Sequence, residues 1–185
     1  MIDQNIINPV RKWLEQLVIG LNLCPFAKRE LINNRIRFFV STATTIEALL
    51  VDLQDELKLL NNDSNVETTL LIHPNVLTDF YDYNDFLDIA DGLLIDMELE
   101  GTYQIASFHP DYQFAETEPN DAENYTNRSP YPLLHLIREQ SLEMAVANYP
   151  NPELIPERNI HLMNEMGSAK LHSLFLSYFD DAKKE

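Results

Sequence analysis

Apolar residues recur at three- and four-residue steps along much of the chain, and this spacing predicts amphipathic helices. Pro25 is a residue favoured at the first position of a helix, which predicts a short helix directly after Cys24. We expect helices over residues 6–20, 25–32, 46–60, 77–99, 129–148 and 157–179.

Three short segments rich in β-branched and aromatic residues predict strands, at Arg35 to Val40, Val66 to Ile72 and Thr102 to Phe108. Because these strands alternate with helices, right-handed parallel crossovers are expected between them. We therefore predict an α/β fold, or α+β if one strand runs antiparallel. The sheet is expected to be small, three-stranded and mainly parallel, with helices from both termini covering it. A chain of 185 residues suits a single domain over residues 1–185.

Polar residues follow the predicted strands at the points where these strands end. His73 comes directly after the second strand and His109 directly after the third. The polar segment 110–130 leaves from the same end of the sheet, and an irregular run of that length is usually a functional loop. Ligands of parallel sheets bind outside the carboxyl ends of the strands. We therefore expect a site at this edge, formed by Cys24, His73, His109, Asp111, Asn124, Arg128 and His135.

Cys24 is the only cysteine, so no intrachain disulfide can form and a cytosolic location is expected. At the start of a helix, unpaired backbone N–H groups stabilise a thiolate, which predicts a nucleophilic or redox-active thiol, or a metal ligand. The alternative is a small buried apolar residue, since free cysteines are among the most buried side chains.

Two catalytic interpretations exist for His73 and His109. They form an acid/base pair that serves the Cys24 nucleophile, or they are ligands of a divalent metal that activates water. Their wide separation in sequence has no metal-binding signature. The third interpretation is that each ring closes a strand end by bonding to the backbone of a loop.

Four further residues are predicted to bind the substrate: Asp111, Asn124, Arg128 and His135. Arg128 is an isolated base in an acidic part of the chain, so it either clamps an anionic group or pairs with a nearby carboxylate. Asn124 either contacts the ligand or ties the backbone of the loop. His135 is expected on the first turns of the helix that follows the loop, facing the same edge.

The charge of the chain is strongly negative and concentrated. The formal net charge is −17, and residues 41–127 contain 19 acidic residues against one basic residue, Lys58. Such a surface repels a phosphate backbone, so nucleic-acid binding is not expected. The four glycines are all far apart in sequence, which excludes glycine-rich phosphate-binding loops. No apolar run approaches the roughly 20 residues of a membrane span.

Several motifs resemble a known group of proteins. They are Leu23-Cys24-Pro25-Phe26-Ala27, the His73-Pro74 pair, Phe108-His109-Pro110-Asp111-Tyr112-Gln113-Phe114 and the segment 124–136. Through these motifs, nearly the whole chain is similar to an uncharacterised bacterial family of about this length, a domain of unknown function. The resemblance implies a stand-alone, soluble, cytoplasmic bacterial protein, and it implies no reaction, substrate or cofactor.

Two functions are consistent with these observations. The first is a small cytosolic enzyme with a Cys/His/Arg pocket that performs thiol-dependent or metal-assisted chemistry on a small anionic substrate. The second is a non-catalytic ligand-binding or adaptor module, whose acidic surface selects the partner. The sequence leaves the reaction, the cofactor and the oligomeric state open.

Overall fold

The computed structural model describes residues 4–180, so the first three and last five residues of the predicted domain lie outside the described residues. Four strands form one mixed sheet: β1 (Ile36–Val40), β2 (Thr68–Ile72), β3 (Tyr103–Phe108) and β4 (Leu133–Arg138). Their order across the sheet is β1-β2-β4-β3. β1 and β2 are parallel, and β4 runs antiparallel to both β2 and β3. The three predicted strands therefore point in one direction, and β4 separates the second from the third.

The prediction of a three-stranded, mainly parallel sheet is wrong, and the fold is α+β. The sequence pattern favours a helix over residues 133–138, which form β4 instead. Leu133, Leu134 and Leu136 are all fully buried in this central strand. Because both faces of β4 are apolar, the alternation that marks a half-buried strand is missing. His135 consequently lies on a strand, and its predicted position on the first turns of a helix is also wrong.

The described residues contain seven α-helices: α1 (Gln4–Trp13), α2 (Ala27–Ile32), α3 (Ile46–Asn62), α4 (Phe80–Asp96), α5 (Glu139–Ala147), α6 (Ile155–Met166) and α7 (Ser168–Ser177). A π-helical turn (Leu14–Ile19) continues α1, and 3₁₀ turns occupy Ala122–Thr126 and Pro152–Leu154. The predicted loop over 110–130 is thus irregular except for one 3₁₀ turn.

Local capping decides where several helices begin and end. The Asp79 side chain accepts hydrogen bonds from two backbone N–H groups of the first turn, so α4 begins at Phe80. The predicted helix over 157–179 is divided at Gly167, whose φ of +79° ends α6. α2 begins only at Ala27, although Pro25 favoured an earlier start.

Each face of the sheet has its own apolar core. α3 and α4 cover the first face, where Leu53 and Phe86 pack in one cluster with Leu134 of β4. α1, the π-helical turn, α6 and α7 cover the second face, where Trp13 and Met163 belong to the other cluster. Helices from both ends of the chain therefore meet on one face of the sheet, and the middle helices occupy the other. None of the described helices is long and apolar enough to cross a membrane.

The Tyr83 hydroxyl group ties α4 to two strands. It donates a hydrogen bond of 2.9 Å to the backbone oxygen of Leu133, and it accepts one of 3.0 Å from the backbone N–H of Phe108. Tyr83 itself is fully buried. One hydroxyl thereby joins the end of β3, the start of β4 and the helix that covers them.

Replacing Tyr83 by phenylalanine removes this oxygen and leaves the Leu133 carbonyl and the Phe108 N–H without their partner. We expect the free energy of unfolding to fall by about 1–3 kcal/mol, the usual cost of an unpaired buried polar group. Urea denaturation followed by circular dichroism measures the loss. The control is Tyr81→Phe on the same helix, where the residue is 73% exposed. Equal losses in the two variants would contradict this role of the Tyr83 hydroxyl.

Candidate functional site

A cavity of about 890 Å³ lies against the second face of the sheet. Strand residues form its floor, with Thr68, Leu70, Ala106, Phe108 and His135 among them. The strand register places His135 opposite Leu70 on one side and opposite Ala106 on the other. His135 therefore lies at the centre of the floor.

Helices and one connecting segment form the walls of this cavity. Trp13, from the end of α1, lines one wall, and residues 24–27, between the π-helical turn and α2, line another. α5 contributes Ala145 to the lining and has no buried residue of its own. Beyond the end of α5, the Tyr149 ring packs edge-on against Phe26 with their centroids 5.7 Å apart. α5 thus spans from the sheet to the segment that carries Cys24.

His135 is neutral and makes one hydrogen bond. Its Nε2 lies 2.8 Å from the Thr68 hydroxyl oxygen, and that hydroxyl donates its proton to the backbone oxygen of Leu136. Among the described residues, Nδ1 of His135 has no hydrogen-bond partner. Burial lowers the pKa of His135 to about 4, although the side chain keeps some accessible surface along the cavity. At neutral pH the ring therefore carries no charge.

Cys24 lines the same cavity and is a protonated thiol at neutral pH. Burial raises the pKa of the Cys24 thiol, and the backbone N–H groups of Phe26 and Ala27 act in the opposite direction with a smaller effect. The position of Cys24 just before a helix predicts stabilisation of the thiolate by the start of that helix. In the structure the loss of hydration outweighs that stabilisation, so the shift is opposite to the one that activates a nucleophile.

The cationic side chains around the cavity already have partners. Arg35 pairs with Glu67 and, at 3.2 Å, with Glu30. The Arg29 side chain is 79% exposed and lies 3.5 Å from Glu30. Arg138 donates to the hydroxyl of Tyr103 and to three backbone oxygens in the last turn of α3 and in the segment after it. The lining is therefore largely apolar, and its polar groups include Nδ1 of His135, the Cys24 thiol and the Trp13 indole N–H, which has no hydrogen-bond partner among the described residues.

His73 and His109 lie close together, but away from this cavity. The two rings flank Tyr83, with centroid separations of 5.8 Å for His73 and 5.1 Å for His109. His73 Nδ1 lies 2.9 Å from the Val76 backbone oxygen, and His109 Nε2 lies 3.3 Å from that of Leu77. Both rings are fully buried and bond to loop backbone, as in the third interpretation of their sequence positions.

The remaining nitrogens of this pair do not point to a metal site. His109 Nδ1 accepts a 3.0 Å hydrogen bond from the backbone N–H of Asp111. His73 Nε2 is buried without a hydrogen-bond partner. In residues 4–180, no group of three or more His, Cys, Asp and Glu side chains is arranged to hold a metal ion. The divalent metal stays a prediction for which the described residues supply no complete ligand set.

Asn124 and Arg128 hold the long loop together. The buried Asn124 side chain accepts from the Phe114 N–H and the Thr117 hydroxyl. The Arg128 guanidinium donates to two loop carbonyls and lies 4.8 Å from the centroid of the Tyr125 ring. No residue of 110–130 lines the cavity. Among the predicted site residues, Cys24 and His135 therefore meet at the cavity, whereas the other five lie at the strand edge and in the loop.

The residues that form the floor of the cavity, apart from His135, were not predicted from the sequence. Thr68 and Ala106 belong to predicted strands, but their importance depends on β4 lying between them. The available signal was the run Leu133-Leu134-His135-Leu136-Ile137, in which one polar residue interrupts a strand-length apolar segment. A strand buried on both faces has this composition.

Acid should destabilise the protein through its buried histidines. Burial lowers the pKa of His73 to about 4, so the unfolded chain, with a pKa near 6.5, binds this proton first as the pH falls. Stability is therefore present above pH 6.5 and is lost as the pH falls towards 4. His73→Asn keeps a donor for the Val76 oxygen and removes the titrating ring.

We expect urea denaturation to show that the loss of unfolding free energy between pH 6.5 and 4.5 is smaller by about 2 kcal/mol in His73→Asn than in the wild type. His161→Asn, at an exposed position on α6, is the matched control. Parallel pH profiles for the wild type and His73→Asn would rule out the proposed contribution of His73.

The Cys24 thiol should react slowly at neutral pH. Its alkylation by iodoacetamide is expected to have a pH midpoint above that of a cysteine in a short unstructured peptide, because burial raises its pKa. Mass spectrometry reports the rate without ambiguity, since the chain has one cysteine. A midpoint at or below that of the peptide would mean that the thiol is activated.

No curated protein matches the chain, and no solved structure matches it either. The model of one protein family, described as a protein of unknown function (DUF1415), matches residues 5–173. This range includes every residue that lines the cavity. The predicted membership in an uncharacterised family is confirmed, while the bacterial origin and the cytoplasmic location stay predictions. The chain therefore belongs to the DUF1415 family of proteins of unknown function.

Proposed function

We propose that the cavity binds a small, largely apolar molecule, and that this binding is the function of the domain. The observation that carries the proposal is the cavity itself. Its volume of about 890 Å³ falls within the roughly 300–1,000 Å³ of typical small-molecule sites. Trp13, Leu70 and Phe108 supply apolar surface for the body of a ligand. Cys24 and His135 add the small number of polar groups that usually fix its orientation.

The position of the cations favours an apolar ligand over the small anion that the sequence suggested. The anionic substrate was inferred from Arg128, which donates to loop carbonyls and lies outside the lining. Within the lining, Arg35 is already paired with two glutamates. An anion would have to compete with Glu30 and Glu67 for the guanidinium groups of Arg29 and Arg35, and it would lose part of its hydration on binding.

Thiol chemistry on the bound molecule is the second candidate function. It is favoured by one observation, that Cys24 and His135 line the same cavity. The raised pKa of the thiol and the bond between His135 and Thr68 favour binding without catalysis. The pH midpoint of Cys24 alkylation separates the two candidates.

Blocking the cavity should abolish binding of an apolar probe. Nile red, an uncharged dye whose fluorescence rises in apolar surroundings, is expected to bind the wild type saturably with one site. Ala145→Trp places an indole in the lining of the cavity and should weaken dye binding at least about tenfold. The matched control is Ala147→Trp, the same replacement at an exposed position two residues further along α5.

Circular dichroism of both tryptophan variants confirms that they are folded. Unsaturable dye binding by the wild type would contradict the proposal. So would an equal loss of affinity in the Ala145 and Ala147 variants, because the dye would then be bound outside the cavity.

A further inference from the structure

We propose that the ligand of the cavity is an uncharged molecule with a hydroxyl or amide N–H group, which donates a hydrogen bond to Nδ1 of His135. This inference rests on the proposed ligand-binding function and names the class of ligand. It depends on three observations: the two hydrogen bonds of the Thr68 hydroxyl, the lack of a partner for His135 Nδ1 among residues 4–180, and the ion pairs around the cavity.

The proton of His135 is assigned by its neighbour. The Thr68 hydroxyl has a single proton, which it donates to the backbone oxygen of Leu136. Its oxygen can therefore only accept from His135 Nε2, which lies 2.8 Å away. A neutral imidazole carries one N–H, so Nδ1 holds a lone pair and acts as an acceptor. The backbone of β4 thus fixes the tautomer of its own histidine through Thr68.

A ligand that fills the cavity excludes solvent from Nδ1, and an acceptor that then lacks a donor is costly in apolar surroundings. Nδ1 has no protein donor among residues 4–180, and the floor around His135 is formed by Leu70, Ala106 and Phe108. A ligand that brings a hydroxyl or amide N–H to this nitrogen gains a hydrogen bond. A ligand with only an ether or carbonyl oxygen at that point places two lone pairs against each other and leaves both unpaired.

Charged ligands are disfavoured by the same surroundings. A carboxylate would face the lone pair of Nδ1, and Arg35 is held by Glu30 and Glu67. An ammonium group could donate to Nδ1, but Glu67 is paired with Arg35, and Glu30 is shared by Arg29 and Arg35, so neither glutamate is a free counter-charge. Either ion would lose hydration and would have to disturb an existing ion pair to gain a counter-charge. An uncharged donor avoids these costs.

Three compounds with the same two-ring body test the proposal: 2-naphthalenemethanol, its methyl ether and 2-naphthoate. Each is titrated against protein carrying Nile red, and displacement of the dye gives its affinity. We expect the alcohol to bind about tenfold more tightly than the ether, the difference that one hydrogen bond to an otherwise unpaired acceptor makes. We expect 2-naphthoate to bind more weakly than both.

Two variants test whether the hydroxyl group of the ligand binds to Nδ1 of His135. In His135→Leu the acceptor is absent, so the alcohol and the ether should bind equally well. In Thr68→Val the ring is no longer forced into one tautomer, and the ratio of the two affinities should fall while the ring stays in place. His161→Leu, at an exposed position on α6, is the control and should keep the wild-type ratio. Thermal unfolding of each variant shows that it is folded.

The outcomes distinguish this inference from the function on which it rests. If Nile red binds and Ala145→Trp prevents it, but the wild type does not prefer the alcohol to the ether, the inference about the ligand class is wrong and the binding function stands. If 2-naphthoate binds most tightly, the site takes anions and the inference is likewise overturned. If Nile red does not bind the wild type saturably, both proposals fail.

Discussion

The central position of β4 in the sheet determines both the packing of the core and the chemistry of the cavity. β4 is paired with β2 and β3, and its Leu134 and Leu136 are buried under α3 and α4, whereas His135 and Ile137 are half-buried on the opposite face and line the cavity. Among the first five residues of β4, His135 alone has a polar side chain. The His135 ring is stable at this position because the hydroxyl of Thr68, on the neighbouring strand, forms a hydrogen bond with its Nε2. The other nitrogen faces no protein donor and defines the chemistry of the cavity floor.

The apolar surroundings of four titratable groups, Cys24 and three histidines, shift their pKa values towards the uncharged form. These surroundings lower the pKa values of His73, His109 and His135, and they raise that of Cys24. The thiol and the three imidazoles that the sequence suggests as catalytic or binding groups are therefore uncharged at neutral pH. Such an arrangement is unfavourable for a thiolate or for a general base poised near neutrality, and it suits the recognition of an uncharged molecule.

The predictable part of the structure was local. The helical periodicity located α3 and α4, and the β-branched segments located β1, β2 and β3. The same-edge argument brought His73 and His109 together correctly, because their strands point in one direction. The position of β4 was not predictable from its pattern, since a central strand without alternation resembles a buried helix. The cavity could not be predicted for the same reason, because its floor forms only when β4 lies between the strands that carry Thr68 and Ala106.

The protonation state of the His135 ring can be measured directly in solution. Long-range ¹H–¹⁵N NMR spectra of the protein at pH 7 report which imidazole nitrogen carries the proton. We expect a neutral ring protonated at Nε2, and a shift of the Nδ1 resonance when 2-naphthalenemethanol is added. A charged ring, a proton on Nδ1, or an Nδ1 resonance that does not respond to the alcohol would contradict this expectation.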